Sequence, residues 1–236
     1  MSEIVLVHGA WGGSYGFKKL RPLLTARGHQ VFTPSLTGIG ERSHLVNPSI
    51  TLETHVTDVV NTILYEDLTE ILLLGFSYGG MVVTGALEMI ADRVKHLVYL
   101  DAFVPEDGQS VTQITGQWEP ENSLDPGTKW LVSPIPREAE KLEDTQWFGL
   151  RRSMQPLGTF NQSVTLSKPL EELPLSRTYI KATADENEKS NSHFWQSAKH
   201  AQDSRKWEYF EIPTNHLVPI NRPDELANIL LGIIGQ

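Results

Sequence analysis

Residues 70–80 read Glu-Ile-Leu-Leu-Leu-Gly-Phe-Ser-Tyr-Gly-Gly. The apolar run Ile71–Leu74 stops at Gly75, and residues from Met81 to Ile90 have helical character. A buried strand, a sharp turn and a helix around G-x-S-x-G form the context in which that pattern carries chemistry. A serine hydroxyl is a poor nucleophile unless it is exposed, held against a base and set beside donors for a developing oxyanion. A tight elbow forces Ser77 out of both strand and helix. Gly75 and Gly79 keep side chains out of the crowded turn. The amide of Tyr78 and the positive end of the following helix then face the developing charge. The alternative is a glycine-rich turn with an incidental serine, and the flanking strand and helix argue against it.

An elbow of this kind needs a sheet to stand on. Strand-like runs fall at 4–7, 30–33, 71–76, 94–100, 177–183 and 207–212. Between them lie helix-like stretches at 17–26, 51–65 and 78–90, about 190–201, and 223–234. Thr51 is a natural cap for the second helix, and Pro223 sits in the first turn of the last. Apolar strands alternating with helices predict an α/β fold whose mostly parallel, doubly wound sheet is covered on both faces. The chain of 236 residues is expected to form a single domain spanning 1–236.

The segment 104–176 breaks this rhythm. It holds eight prolines and three tryptophans, Trp118, Trp130 and Trp147, and no clear strand pattern. A structureless loop of that length is improbable in a compact domain. The segment is expected to be a small, partly helical cap inserted between strands, its best helix at 137–150, serving as a substrate lid.

Composition narrows the partners. Lys and Arg number 20 against 29 Asp and Glu, a net charge of −9, which argues against nucleic acid and anionic membrane. Cysteine is absent, so neither disulfides nor thiol chemistry is available. Residues 1–3 run directly into an apolar strand without a basic leader, and no apolar run approaches about 18 residues. The expectation is a cytoplasmic protein.

Among eight histidines, His216 alone lies between the last predicted strand and the last predicted helix, on the sheet edge that carries Ser77. It is the expected base. The loop after the first strand, His8-Gly9-Ala10-Trp11-Gly12-Gly13, is built of small residues that leave a backbone amide free to turn inward. Ala10 is therefore the expected second oxyanion donor, beside Tyr78. That loop lacks the phosphate-binding glycine patterns, and His8 is read as its brace. Chain order leaves Asp101, Asp185 and Asp203 as candidates for the acid, with Glu186 and Glu188 behind them. Trp11, Phe103, Trp147 and Phe148 are candidate pocket residues.

The pieces 5–11 (Val-Leu-Val-His-Gly-Ala-Trp), 37–45 (Thr-Gly-Ile-Gly-Glu-Arg-Ser-His-Leu), 75–80 and 98–105 (Val-Tyr-Leu-Asp-Ala-Phe-Val-Pro) resemble the α/β-hydrolase fold. More narrowly they resemble the branch of plant methyl-ester esterases, hydroxynitrile lyases and bacterial pyrethroid-type carboxylesterases. The resemblance implies that the acid stands at the end of the strand-like run 177–183, which favours Asp185, with Asp101 as the alternative. Hydroxynitrile lyases of the branch carry threonine where this chain has Gly9 and lysine where it has Leu217, so the resemblance favours an esterase. Phe76 stands where relatives often carry histidine and is read as tuning the site.

These readings converge on a serine hydrolase of small to medium apolar carboxylic esters, working through an acyl-enzyme without metal or organic cofactor. The alternatives are a C–C or C–N bond hydrolase or lyase on the same triad, and a small-molecule receptor on a hydrolase fold. A homodimer formed through the cap would leave the chemistry unchanged.

Overall fold

Strand β1 (Glu3–Val7), β2 (Gln30–Phe32), β3 (Ile71–Phe76) and β4 (Val94–Leu100) come first in the chain; short β5 (Leu131–Val132) and β6 (Gln155–Pro156) follow, then β7 (Ser176–Ala182) and β8 (Glu208–Ile212). The structure is a computed structural model and describes residues 1–117, 129–184 and 192–235. Six strands form one sheet in the order β2-β1-β3-β4-β7-β8. Every pairing within it is parallel. Strands β5 and β6 pair separately as an antiparallel ribbon.

The apolar strand runs predict this sheet to within about a residue, because each central strand is buried on both faces. Side-chain alternation divides each run between two cores. Val5, Val7, Leu73, Leu97, Tyr99 and Tyr179 share one core with α2 (Leu52–Tyr65) and α3 (Gly79–Ile90). Ile4, Leu6, Leu72, Leu74, Val98, Leu100 and Ile180 share the other with α1 (Leu20–Thr25) and α9 (Pro223–Ile234).

Two predicted helices are shorter than the sequence pattern suggests. The stretch 17–26 begins its α-helix only at Leu20, after a 3-10 turn at Ser14–Phe17. Pro22 has no N–H to donate and is tolerated only within a first turn, which sets that start. The stretch 137–150 is helical only in α5 (Leu142–Gly149), with Lys141 extended at φ −106 and ψ 134. Upstream, the Ala139 amide donates to the Thr145 hydroxyl at 2.8 Å instead of joining the helix.

Between β4 and β7 the chain also forms α4 (Val111–Thr115) and α6 (Gly158–Asn161). Helix α7 (His193–Asp203) packs on β7 and β8, and α8 (Val218–Asn221) precedes α9. Among the described residues no helix is long and apolar enough to cross a membrane.

A fully buried histidine on α2 fastens this helix to the loop after β2 and to the residue following Ser77. His55 Nε2–H donates to the Thr37 carbonyl at 2.8 Å, and its Nδ1 accepts from the Tyr78 hydroxyl at 2.9 Å. The bond from Tyr78 needs the neutral ring, because Nδ1 can accept only when it carries no proton. Burial accordingly drops the His55 pKa to about 3, opposed by the bond to Thr37. The folded state therefore refuses a proton that the unfolded chain accepts below about pH 6.5. Stability from this group is complete above that pH and is lost on acidification towards 3. The free energy of unfolding in urea is expected to fall between pH 7 and pH 5, by up to about 1.4 kcal/mol per pH unit from this one group. His55→Gln, which cannot take the proton, should show a shallower slope; an unchanged slope would assign the acid sensitivity elsewhere.

Candidate active site

Three strand ends converge at the carboxyl edge of the sheet, where open α/β sheets bind their ligands. β3 delivers Ser77 at its turn into α3. The turn is forced: Ser77 takes φ +56, a left-handed conformation that ordinary residues avoid. The Ser77 amide donates to the Leu100 carbonyl at 3.1 Å, and its carbonyl accepts from Gly80 at 3.0 Å and Phe103 at 3.3 Å. α3 can then run straight past β1, since a Cβ on Gly79 would lie 2.5 Å from the Val7 carbonyl oxygen.

β4 delivers Asp101, also strained at φ +41. Its amide donates to the Ile180 carbonyl on the neighbouring β7 at 2.8 Å. The Tyr179 hydroxyl accepts from the Ala102 amide at 3.1 Å, and the Ala102 carbonyl lies 2.9 Å from the same hydroxyl. Strain at two neighbouring strand ends is held by these bonds, a pattern that clusters at functional sites.

β8 leads to His216 through a short turn closed by Thr214 N–H donating to the Ile212 carbonyl at 2.8 Å. The ring meets both other groups. Ser77 Oγ lies 2.9 Å from His216 Nε2, and His216 Nδ1–H donates to Asp101 Oδ2 at 2.7 Å. Phe194 stacks on the imidazole at 5.1 Å and 5°, and Phe76 covers it at 4.9 Å and 32°. The carboxylate facing His216 is thus Asp101, the alternative in the sequence reading. Asp185, preferred there through the family resemblance, lies outside the described residues, as do Glu186 and Glu188. Asp203 is far from this chemistry in role, forming an exposed ion pair with Lys199 on α7.

Asp101 has a second partner that sequence reading missed. Lys181 on β7 is 3% exposed and donates from Nζ to Asp101 Oδ1 at 2.6 Å and to the Ala182 carbonyl at 2.6 Å. The same ammonium sits 4.5 Å over the Trp195 ring. The signal was present as a lone charge in the apolar run Thr178–Ala182. Burial pushes the Asp101 carboxyl upward, but His216 and then Lys181 outweigh it and hold the group below its ordinary range. His216 is lowered, first by burial, against the bond and charge of Asp101; Arg137 and Lys181 lower it further.

The loop after β1 is held from two sides. His8 donates from Nδ1 to the Gly9 carbonyl at 2.9 Å and accepts the Leu36 amide on Nε2 at 3.1 Å. Trp11, at φ +59, donates its amide to Gln155 Oε1 at 2.8 Å and its indole N–H to the Val132 carbonyl at 3.0 Å. Gly9 is pressed against the serine: a Cβ there would lie 2.9 Å from Ser77 Cβ. Among the described residues the amides of Ala10 and Tyr78 have no hydrogen-bond partner.

A cavity of about 460 Å³ opens over Ser77 and His216. Trp11, Phe103 and Phe148 line it, whereas Trp147 is not among its described lining residues. Adjacent helical residues point about 100° apart, so with Phe148 inward Trp147 turns out to pack on Tyr15 and under Arg151.

Residues 4–229 match the alpha/beta hydrolase family. Over 99% of this chain and 100% of the relative, the sequence is 35% identical to a carbendazim hydrolyzing esterase of Nocardioides sp.. A pyrethroid hydrolase of Sphingobium wenxiniae is 32% identical over 57% of this chain and 48% of that protein. An extracellular alpha/beta-hydrolase from a Paenibacillus species has the same fold, with a TM-score of 0.83, 23% identity and 98% of each chain covered. The chain belongs to the α/β-hydrolase family, and within it is an enzyme of carboxylesterase type.

Removing one partner of a buried ion pair leaves the other charge stranded, at a cost of about 3–5 kcal/mol. Lys181→Met is expected to lower folding stability by that amount in urea unfolding. A loss below about 1 kcal/mol would mean that the pair adds nothing to holding Asp101.

Proposed function

We propose that this enzyme hydrolyses carboxylic esters with Ser77 as nucleophile, His216 as base and Asp101 as the acid behind it. The observation that carries the reading is the continuous line from Ser77 Oγ through His216 to Asp101, with contacts of 2.9 and 2.7 Å. Ser77 attacks the ester carbonyl while its proton passes to His216 Nε2. The amides of Ala10 and Tyr78 stabilise the tetrahedral oxyanion. His216 then protonates the leaving alcohol, and the buried carboxylate stabilises the imidazolium and fixes its tautomer. Water activated by the same nitrogen attacks the acyl-enzyme and releases the acid.

The segment between β4 and β7 acts in this reading as the cap. It supplies Phe148 and Phe160 to the cavity wall and anchors Trp11 beside the oxyanion loop. Aromatic walls and a volume of about 460 Å³ suit an ester with a small to medium apolar body. The cyanohydrin-cleaving alternative finds little support: Gly9 has no room for a larger side chain, and buried Leu217 offers no cation beside His216.

Wild-type protein is expected to hydrolyse p-nitrophenyl acetate and butyrate and to take a fluorophosphonate label on Ser77. Ser77→Ala should lower kcat by at least ~10⁴-fold. A variant that retained wild-type turnover would overturn the assignment. The acid limb of kcat/KM reports the free base. It should fall below the ordinary histidine value, since burial disfavours the imidazolium. Lys181→Met should move that limb upward, because the lysine charge opposes protonation of His216.

A further inference from the structure

Among its described lining residues, the cavity over Ser77 is cationic, in a protein whose net charge is negative. Acidic residues outnumber basic ones by 29 to 20 in the whole chain. Among the described lining residues there is no Asp or Glu, yet Arg137 and Arg152 are both there, with His193 and His216. The rest of the wall is largely aromatic and aliphatic, including Trp11, Phe103 and Phe194.

The fold explains Arg152 only in part and Arg137 not at all. Among the described residues Arg137 makes no hydrogen bond or ion pair, and Arg152 makes no ion pair. Arg152 donates one N–H to the Ile135 carbonyl, while its Nε is buried without a partner. Its guanidinium is placed by stacking, 5.4 Å from the Trp11 ring and 5.6 Å from that of Phe148. A guanidinium carries five N–H donors, so most of the capacity at this site is unused. The two like charges in one cavity oppose each other: burial first, and then Arg137 against an opposing effect of Tyr15, draw the Arg152 pKa down to about 10. Arg137 also opposes protonation of His216. A partly buried, uncompensated pair of like charges destabilises a fold unless something anionic completes it. Cation–π stacking on Trp11 and Phe148 offsets part of that cost, but it accounts for Arg152 alone.

We propose that Arg137 and Arg152 form a carboxylate-binding corner of the cavity, and that the enzyme selects esters which also carry an ionised carboxylate, such as half-esters of dicarboxylic acids. The inference rests on the esterase reading for its substrate class. Planar guanidinium groups match a carboxylate through paired N–H donors, and the aromatic walls take the apolar chain between the two ends. The second carboxyl group is remote from the scissile bond, so its binding positions the ester over Ser77 without entering the chemistry.

The test is calorimetric binding of monomethyl adipate and dimethyl adipate to the Ser77→Ala protein, which cannot cleave them. The half-ester is expected to bind at least about 10-fold more tightly, the worth of one charge-assisted hydrogen bond. Adding Arg137→Leu or Arg152→Leu should bring the ratio of the two affinities close to unity. Because Arg152 also stacks on Trp11, Arg137→Leu is the cleaner variant, and the ratio is read within each protein, so general loosening does not mimic the result. Equal affinity for both ligands, or a preference that survives both substitutions, would overturn the proposal. The readout is independent of turnover: an intact preference in the Ser77→Ala protein together with a wild-type protein that lacks esterase activity would sink the hydrolase reading alone, and wild-type turnover without the preference would sink only this inference.

Discussion

A single carboxylate, Asp101, is the point on which the site turns. It is 2% exposed and would be intolerable as a charge in isolation. Two groups make it tenable, His216 on one oxygen and Lys181 on the other. Each arrives from a different strand, so the arrangement exists only when β4, β7 and β8 lie side by side in register. The pairing of His96 through Leu100 with Ser176 through Ile180 supplies that register. A slip of one residue on β7 would turn Lys181 to the opposite face of the sheet and strand the carboxylate.

The long excursion between β4 and β7 is bound into the same arrangement. Gln155 and Val132 hold Trp11, and Thr214 and Asn215, beside His216, donate to Glu140 and to the Glu138 carbonyl. Loops on both sides of Ser77 are thus tied to one segment, which also contributes Arg137, Phe148 and Arg152 to the cavity. Movement of this segment would therefore alter the proposed oxyanion loop, the proposed base and the binding wall together. The family membership of the chain agrees with this division, in which a constant sheet presents reactive groups and variable connections shape the pocket.

Much of the framework was legible before folding. Buried parallel strands need apolar runs, and these place all six strands of the sheet to within about a residue. The elbow was legible because a strained serine requires small neighbours, and His216 because chain order and a loop after the last strand leave few rivals. The resemblance to esterases and their relatives rested on short motifs, and the family match over residues 4–229 agrees with it. Helix ends were less legible, since Pro22 and Thr145 set them through backbone and side-chain details that periodicity ignores.

The partner of His216 shows where local sequence stops. Asp101 and Asp185 both follow apolar strands, and both stand between Ser77 and His216 in the chain, so order alone cannot separate them. The structure sets Asp101 at 2.7 Å from the imidazole because a kink at φ +41 turns its side chain across the end of β7. The pairing of Lys181 with Asp101 and the presence of Arg137 and Arg152 on the wall of the cavity over Ser77 likewise depend on how the packed segments meet. Sequence by itself determined the sheet, the elbow and the positions of the serine and histidine proposed to react, because backbone sterics and strand burial act over a few residues. Tertiary structure alone decided which charges meet, because electrostatic pairing depends on distances that only the packed strands define.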